Sequence, residues 1–198
     1  MGVVVDGCPP GLLLSGRDFD ADLARRKTAQ SPITSSRKEA DQVEILSGVF
    51  EGKTLGTPIA IMVRNTNAHS KDYEMLKNTY RPSHADFTTE KKYGIRDHRG
   101  GGRASARETV ARVLAGVIAK KVLKKLCGME FVGFVRQVGD IRSQISPEKV
   151  TQRLVEANAV RCPDLKTAKK MISLIQSVQK KGDTVGGVVE CVIRNVPP

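Results

Sequence analysis

Three consecutive glycines, Gly100 to Gly102, run straight into a long apolar segment, and this junction constrains the chain more than any other stretch. The region from Arg96 to Lys125 reads RDHRGGGRASARETVARVLAGVIAKKVLKK. Glycine permits positive φ and a close approach of backbone to a ligand. Ser105 is a favourable N-cap, and Glu108, three positions on, supplies the second half of a Ser-x-x-Glu capping box, which predicts a helix starting at Ser105. From Val110 to Ile118 only Arg112 interrupts a run of apolar or small residues, so that helix is expected to be buried. Its first N–H groups and the positive end of its dipole face the glycines. Arg96, Arg99, Arg103 and Arg107 crowd the same end, where stability alone would favour Asp or Glu. The pattern points to a bound anion, as at phosphate sites on helix N-termini. It fits neither GxGxxG in a short βαβ unit nor GxxxxGK[ST]. A flexible glycine connector beside a solvated basic patch is the alternative.

With 198 residues, 39% of them hydrophobic, the chain can bury a core as one domain or one large half-domain. Lys and Arg outnumber Asp and Glu by 33 to 21, a net charge of +12, which predicts affinity for phosphorylated metabolites, nucleic acid or anionic membrane. Aromatics are only 4% and Trp is absent, so the interleaved rings that stack bases are missing and nucleic acid falls behind. Cys8, Cys127, Cys162 and Cys191 show no CxxC or metal-like spacing, which implies free thiols in a reducing compartment and no metal. No apolar run is long enough for a membrane span, and no secretory signal is expected at the N-terminus.

Val3 to Val5 reads as a strand and Asp18 to Lys27, with acids early and bases late, as a helix. Thr28 to Ala40 is expected to be a basic loop. Val43 to Ser47 and Thr57 to Val63 are expected to pair antiparallel, followed by a polar loop from Arg64 into Asp72. A helix is expected from near Ser83, just after Pro82, to a stop at Gly94. Met129 to Val138 is a further strand candidate, PEKVTQRLVEA from Pro147 a helix, and Asp164 to Lys181 an amphipathic helix with Ala168, Met171, Ile172, Ile175 and Val178 on one stripe. Gly186 to Val196 alternates as a closing strand.

GGGRASARETVARVLAGVIAKK resembles the central signature of the chorismate synthase family, and the resemblance continues through VVVDGCPPGL, SSRKEADQVEILSGVFEGKTLGTPIAI and DYEMLKNTYRPSHADFTTEKKYGIRDHRGGGR in the family's order. It implies an α+β fold, a β-α-β sandwich of antiparallel sheets with helices between, assembled as a cytoplasmic homotetramer. The implied reaction is the last step of the shikimate pathway toward aromatic amino acids, a 1,4-anti elimination of phosphate from 5-enolpyruvylshikimate 3-phosphate. Reduced FMN is required, with NAD(P)H as a possible reductant. By the same resemblance Arg103, Ala104 and Ser105 contact FMN, with Ala104 where serine is commoner, and Arg107 contacts a substrate phosphate or carboxylate. Pairing of Arg107 with Glu108 or Asp97 is the alternative. His84 matches the family's acid/base histidine, although Ser83 stands where glycine is usual. Lone histidines after a proline turn are otherwise most often capping or surface residues, and His69 and His98 are read as polar loop residues.

Arg25, Arg26 and Lys27 resemble a substrate-binding run of arginines, with Arg26 the best match and Arg37 a further retained cation. Thr28 and Ala29 replace the family's Pro-Gly, and Pro32 replaces a cation. The family's Gly-Glu-Ser-His-Gly and Arg-His-Asp-Pro signatures have no counterpart, and members are about twice as long. The chain is therefore expected to be a single chorismate synthase-like domain over 1–198, incomplete at both ends. Two competing readings remain: an inactive fragment that binds phosphorylated ligands or full-length subunits, and a basic nucleic-acid-binding domain.

Overall fold

A computed structural model describes residues 1–34, 41–65, 70–99 and 105–198. The chain forms two compact units, Met1–Lys27 with Glu39–Val122, and Thr28–Lys38 with Leu123–Pro198. Among the described residues every sheet is antiparallel and helices make up the remaining regular structure, the expected α+β class.

The first unit holds β1 (Gly2–Val5), α1 (Asp20–Arg26), β2 (Val43–Ile45), β3 (Val49–Phe50), β4 (Lys53–Thr54), β5 (Ile59–Val63), α2 (Asp86–Tyr93) and most of α3 (Thr109–Cys127). β5 lies between β1 and β2, with Val3 opposite Ile61 and Val43 opposite Val63. Alternation sends Ile59, Ile61 and Val63 to one face, where they are fully buried. Val110, Leu114, Val117 and Ile118 of α3 repeat at helical spacing and join them, with Leu14, Phe19 and Leu23, in one core. The expected β2–β5 pair is present, but its connection is more ordered than a glycine turn, because Glu51 and Gly52 take positive φ and close the β3–β4 hairpin.

Two helices begin later than expected, each for a local reason. The Ser15 N–H donates to the Asp18 carboxylate at 2.7 Å and a 3-10 turn fills Gly16–Phe19, so α1 begins at Asp20 rather than Asp18. α2 begins at Asp86 rather than Ser83, because Ser83 has φ 58 and cannot continue a right-handed helix. Its stop is as expected: Gly94 is left-handed and its N–H returns to Glu90 O at 2.8 Å. Ser70–Leu76, which overlaps the expected polar loop only as far as Asp72, forms 3-10 helix.

The second unit contains β6 (Glu130–Val138), β7 (Ile141–Arg142), α4 (Gln152–Val155), α5 (Leu165–Lys180) and β8 (Gly187–Arg194), with the sheet ordered β7-β6-β8. The helix expected from Pro147 is broken in two. Val150 is extended and Thr151 starts α4 afresh by accepting from the Leu154 N–H at 3.3 Å. Asp164 caps α5 through the Lys166 and Thr167 N–H groups, and Ala168 and Met171 are buried with Ile172, Leu174 and Ile175 against them. All four cysteines are free thiols. Among the described residues no helix is long and apolar enough to cross a membrane, and no group of three or more His, Cys, Asp and Glu could hold a metal ion.

Candidate anion-binding site

Three segments of the first unit meet at Asp41. α1 ends at Arg26, a position where the helix carbonyls favour a cation. Asp41 stands two residues before β2, whose pairing of Val43 with Val63 fixes its place beside the end of β5. Ser105 caps the turn Ala106–Glu108 that leads into α3, its Oγ accepting from the Arg107 N–H at 3.2 Å, and this turn buries Arg107. Arg26 Nη1 lies 3.4 Å from Asp41 Oδ2, and Arg107 Nη2 lies 2.8 Å from Asp41 Oδ1. Arg107 Nη2 also reaches Arg64 O at 3.5 Å. The Asp41 side chain is 0% exposed, Arg107 6% and Arg26 15%. A carboxylate so buried is tolerable only because cations match it. Asp41 also has φ 46, a left-handed backbone that aspartate accepts more readily than most residues. A cleft of about 910 Å³ opens here, lined by Ser15, Arg17, Asp20, Lys27 and Asp41 among others.

Arg26 and Arg107, far apart in sequence, are thus brought onto one carboxylate, and Arg107 takes Asp41 rather than Glu108 or Asp97 as an ion-pair partner. Glu108 pairs instead with Arg112 one turn on. Arg37, Arg103 and Ala104 lie outside the described residues, as does His69. Asp41 escaped the sequence reading because no local pattern marks it. Asp41, one of two acidic residues in SSRKEADQ, looks like one more loop charge until the sheet register places it.

The arginine cluster before α3 is also changed by tertiary contacts. Arg96 is nearly buried, donating to Glu90 at 2.8 Å and to the carbonyls of Leu76, Lys77 and Thr79 at 2.8–2.9 Å. Arg99 pairs with Asp97, whose carboxyl it pulls down to about 2. Arg96, Arg99 and Arg107 therefore each meet an acceptor within the chain. A free cation cluster waiting for an anion is not what the structure holds at those three positions.

His84 is exposed on the turn before α2, with Nδ1 2.9 Å from Pro82 O. A carbonyl only accepts, so Nδ1 carries the proton and the neutral ring keeps Nε2 as its base. The turn is clamped by Arg81, which gives Asp86 its backbone N–H at 3.1 Å, Nε at 2.9 Å and Nη2 at 2.8 Å. That guanidinium holds the Asp86 carboxyl well below the usual carboxylate range. The hydrogen bond of His84 stays within its own turn, so the structure does not join it to the Asp41 cluster.

The whole chain, residues 1–198, matches the family model described as chorismate synthase. It is 56% identical over 197 residues to the chorismate synthase of Crocosphaera subtropica and 57% identical to that of Synechococcus elongatus, in each case covering 100% of this chain and 54% of the relative. A crystal structure of chorismate synthase superposes with a TM-score of 0.71 at 32% identity, over 99% of this chain and 55% of that one. The chain spans about half the length of the relatives it matches. With a match that runs from its first residue to its last, the chain belongs to the chorismate synthase family.

Proposed function

We propose that this chain contributes to a carbon–oxygen lyase that eliminates phosphate from 5-enolpyruvylshikimate 3-phosphate to give chorismate. The observation that carries the reading is the meeting of Arg26 and Arg107 on buried Asp41 beside an open cleft. Guanidinium groups suit a substrate bearing phosphate and carboxylates, since each can bind two oxygens in one plane. Arg26, the more exposed of the pair, is the contact for such an anion, with Arg37 and Arg107 as further cations. His84 serves as acid/base, with Nδ1 engaged by Pro82 O and Nε2 left to take up or return the proton.

Arg103, Ala104 and Ser105 form the proposed FMN contact. Ser105 fits that role: it is partly exposed at a helix start, and its Oγ accepts from Arg107 N while keeping an O–H to donate to a phosphate oxygen. Reduced flavin would supply the transient electron density that loss of phosphate and an unactivated C–H demands. A homotetramer, a cytoplasmic location and NAD(P)H as reductant belong to the same proposal and rest on family membership.

Anaerobic incubation with chemically reduced FMN and 5-enolpyruvylshikimate 3-phosphate, followed by ultraviolet absorbance, tests the reading directly. Chorismate formation that falls on substitution of His84→Asn supports it. Calorimetric binding of the phosphorylated substrate without turnover favours the second reading, a ligand-binding fragment. Neither turnover nor binding overturns both.

A further inference from the structure

We infer that Asp41 is a positioning residue, which holds the Arg26 guanidinium where an anionic ligand meets it and uses Arg107 as its brace. The inference rests on the proposed role of Arg26 as a ligand contact. Each oxygen of the Asp41 carboxylate takes one arginine, Oδ2 facing Arg26 and Oδ1 facing Arg107. The spacing of the two guanidinium groups is therefore set by the width of a single carboxylate, a rigid planar spacer.

The spacer itself is anchored from two directions. Val43, two residues on, is registered against Val63 in the sheet. Arg107, which pairs with Asp41, reaches Arg64 O immediately after β5 and is carried by the cap at Ser105. Exposure falls from Arg26 at 15% through Arg107 at 6% to Asp41 at 0%. Arg26 is thus the most exposed member of the trio and the one assigned to the ligand, and Arg107, proposed above as a further substrate cation, acts mainly from behind. An arginine side chain has many rotamers, and one fixed in advance loses less freedom on binding.

Two readouts test the inference. The first needs no ligand: in NMR spectra of the chain, slow exchange of the Arg26 and Arg107 Nη–H signals, the groups that face Asp41, is expected in the wild type. Faster exchange of both is expected in Asp41→Asn. Unchanged arginine signals in a folded Asp41→Asn protein would overturn the inference. The second is a double-substitution cycle on affinity for 5-enolpyruvylshikimate 3-phosphate by calorimetry. Arg26→Gln and Asp41→Asn are each expected to weaken binding by about tenfold or more, and the double variant no further than Arg26→Gln alone. Additive losses would show that Asp41 acts independently of Arg26 and would sink the inference. Unchanged affinity in Arg26→Gln would instead remove the ligand role of Arg26 and leave the NMR result to decide whether Asp41 fixes it. Should Asp41→Asn fail to fold by circular dichroism, Asp41→Glu replaces it in both readouts, keeping the charge while displacing the carboxylate by one methylene.

Discussion

Replacing Asp86 by alanine should loosen the segment that carries His84, and the chain contains its own reporter for it. Asp86 is 5% exposed and accepts three hydrogen bonds from Arg81, with Arg96 Nη1 a further 3.9 Å away. Removing one partner of a buried ion pair typically costs about 3–5 kcal/mol, because the other charge is stranded. Here the Arg81 side chain is 20% exposed and can recover water, while Arg96 keeps Glu90 and three carbonyls. The expected loss is therefore about 2–3 kcal/mol, at or below the bottom of that range. Trp is absent and the three tyrosines are Tyr73, Tyr80 and Tyr93, all close to this cluster in sequence. Tyr80 sits under the Arg96 guanidinium at 5.2 Å and Tyr73 under Arg81 at 5.9 Å. Tyrosine fluorescence during urea unfolding thus follows this segment, and its midpoint should fall by about 1–2 M in Asp86→Ala. Coincident tyrosine transitions in variant and wild type would refute the reasoning, since the clamp would then hold nothing that the rest of the fold does not.

The same carboxylate gives a pH dependence. Its folded pKa is depressed mainly by the Arg81 hydrogen bonds, so its contribution is complete above the ordinary aspartate value of about 4 and is lost as pH falls through the lower folded value. Tyrosine-detected stability should therefore decline on acidification below about pH 4, and less steeply in Asp86→Ala. Ser83 and Ala29 have φ 58 and 59. Substitution of either by glycine should stabilise by about 0.5–1 kcal/mol, the relief of a left-handed backbone less the entropy of a freer unfolded chain, read as a raised urea midpoint. Gly48 runs the other way: with φ 77, a methyl there would sit 2.7 Å from Pro58 O and 2.8 Å from Ile59 Cα. Gly48→Ala should cost about 2–3 kcal/mol in thermal or urea unfolding, and an unchanged midpoint would contradict the described β2–β5 connection.

Much of the fold was legible in the sequence, because the relevant forces act between near neighbours. The apolar, β-prone stretches at Val3–Val5, Ile59–Val63 and Glu130–Val138 became strands, the spacing of Val110, Leu114 and Val117 buried one face of α3, and Gly94 and Asp164 marked helix ends by their own backbone and side-chain chemistry. The resemblance also marked two sites where glycine is usual, and the backbone at Ala29 and Ser83 has the positive φ that glycine takes without strain. The split of PEKVTQRLVEA was hidden, since an extended Val150 breaks a pattern that periodicity alone would continue.

Charge was where the linear reading was weakest. From sequence, Arg96, Arg99 and Arg107 form one basic cluster at a helix start. In three dimensions they part, to Glu90 and a row of carbonyls, to Asp97, and to Asp41. The sequence by itself determined the family, the strands longer than two residues and the long buried helix, because these follow from motif order and local periodicity. Only the tertiary structure decided which carboxylate each arginine would meet. An ion pair depends on ångström-scale distance and on burial, and strand register sets both across long separations of chain.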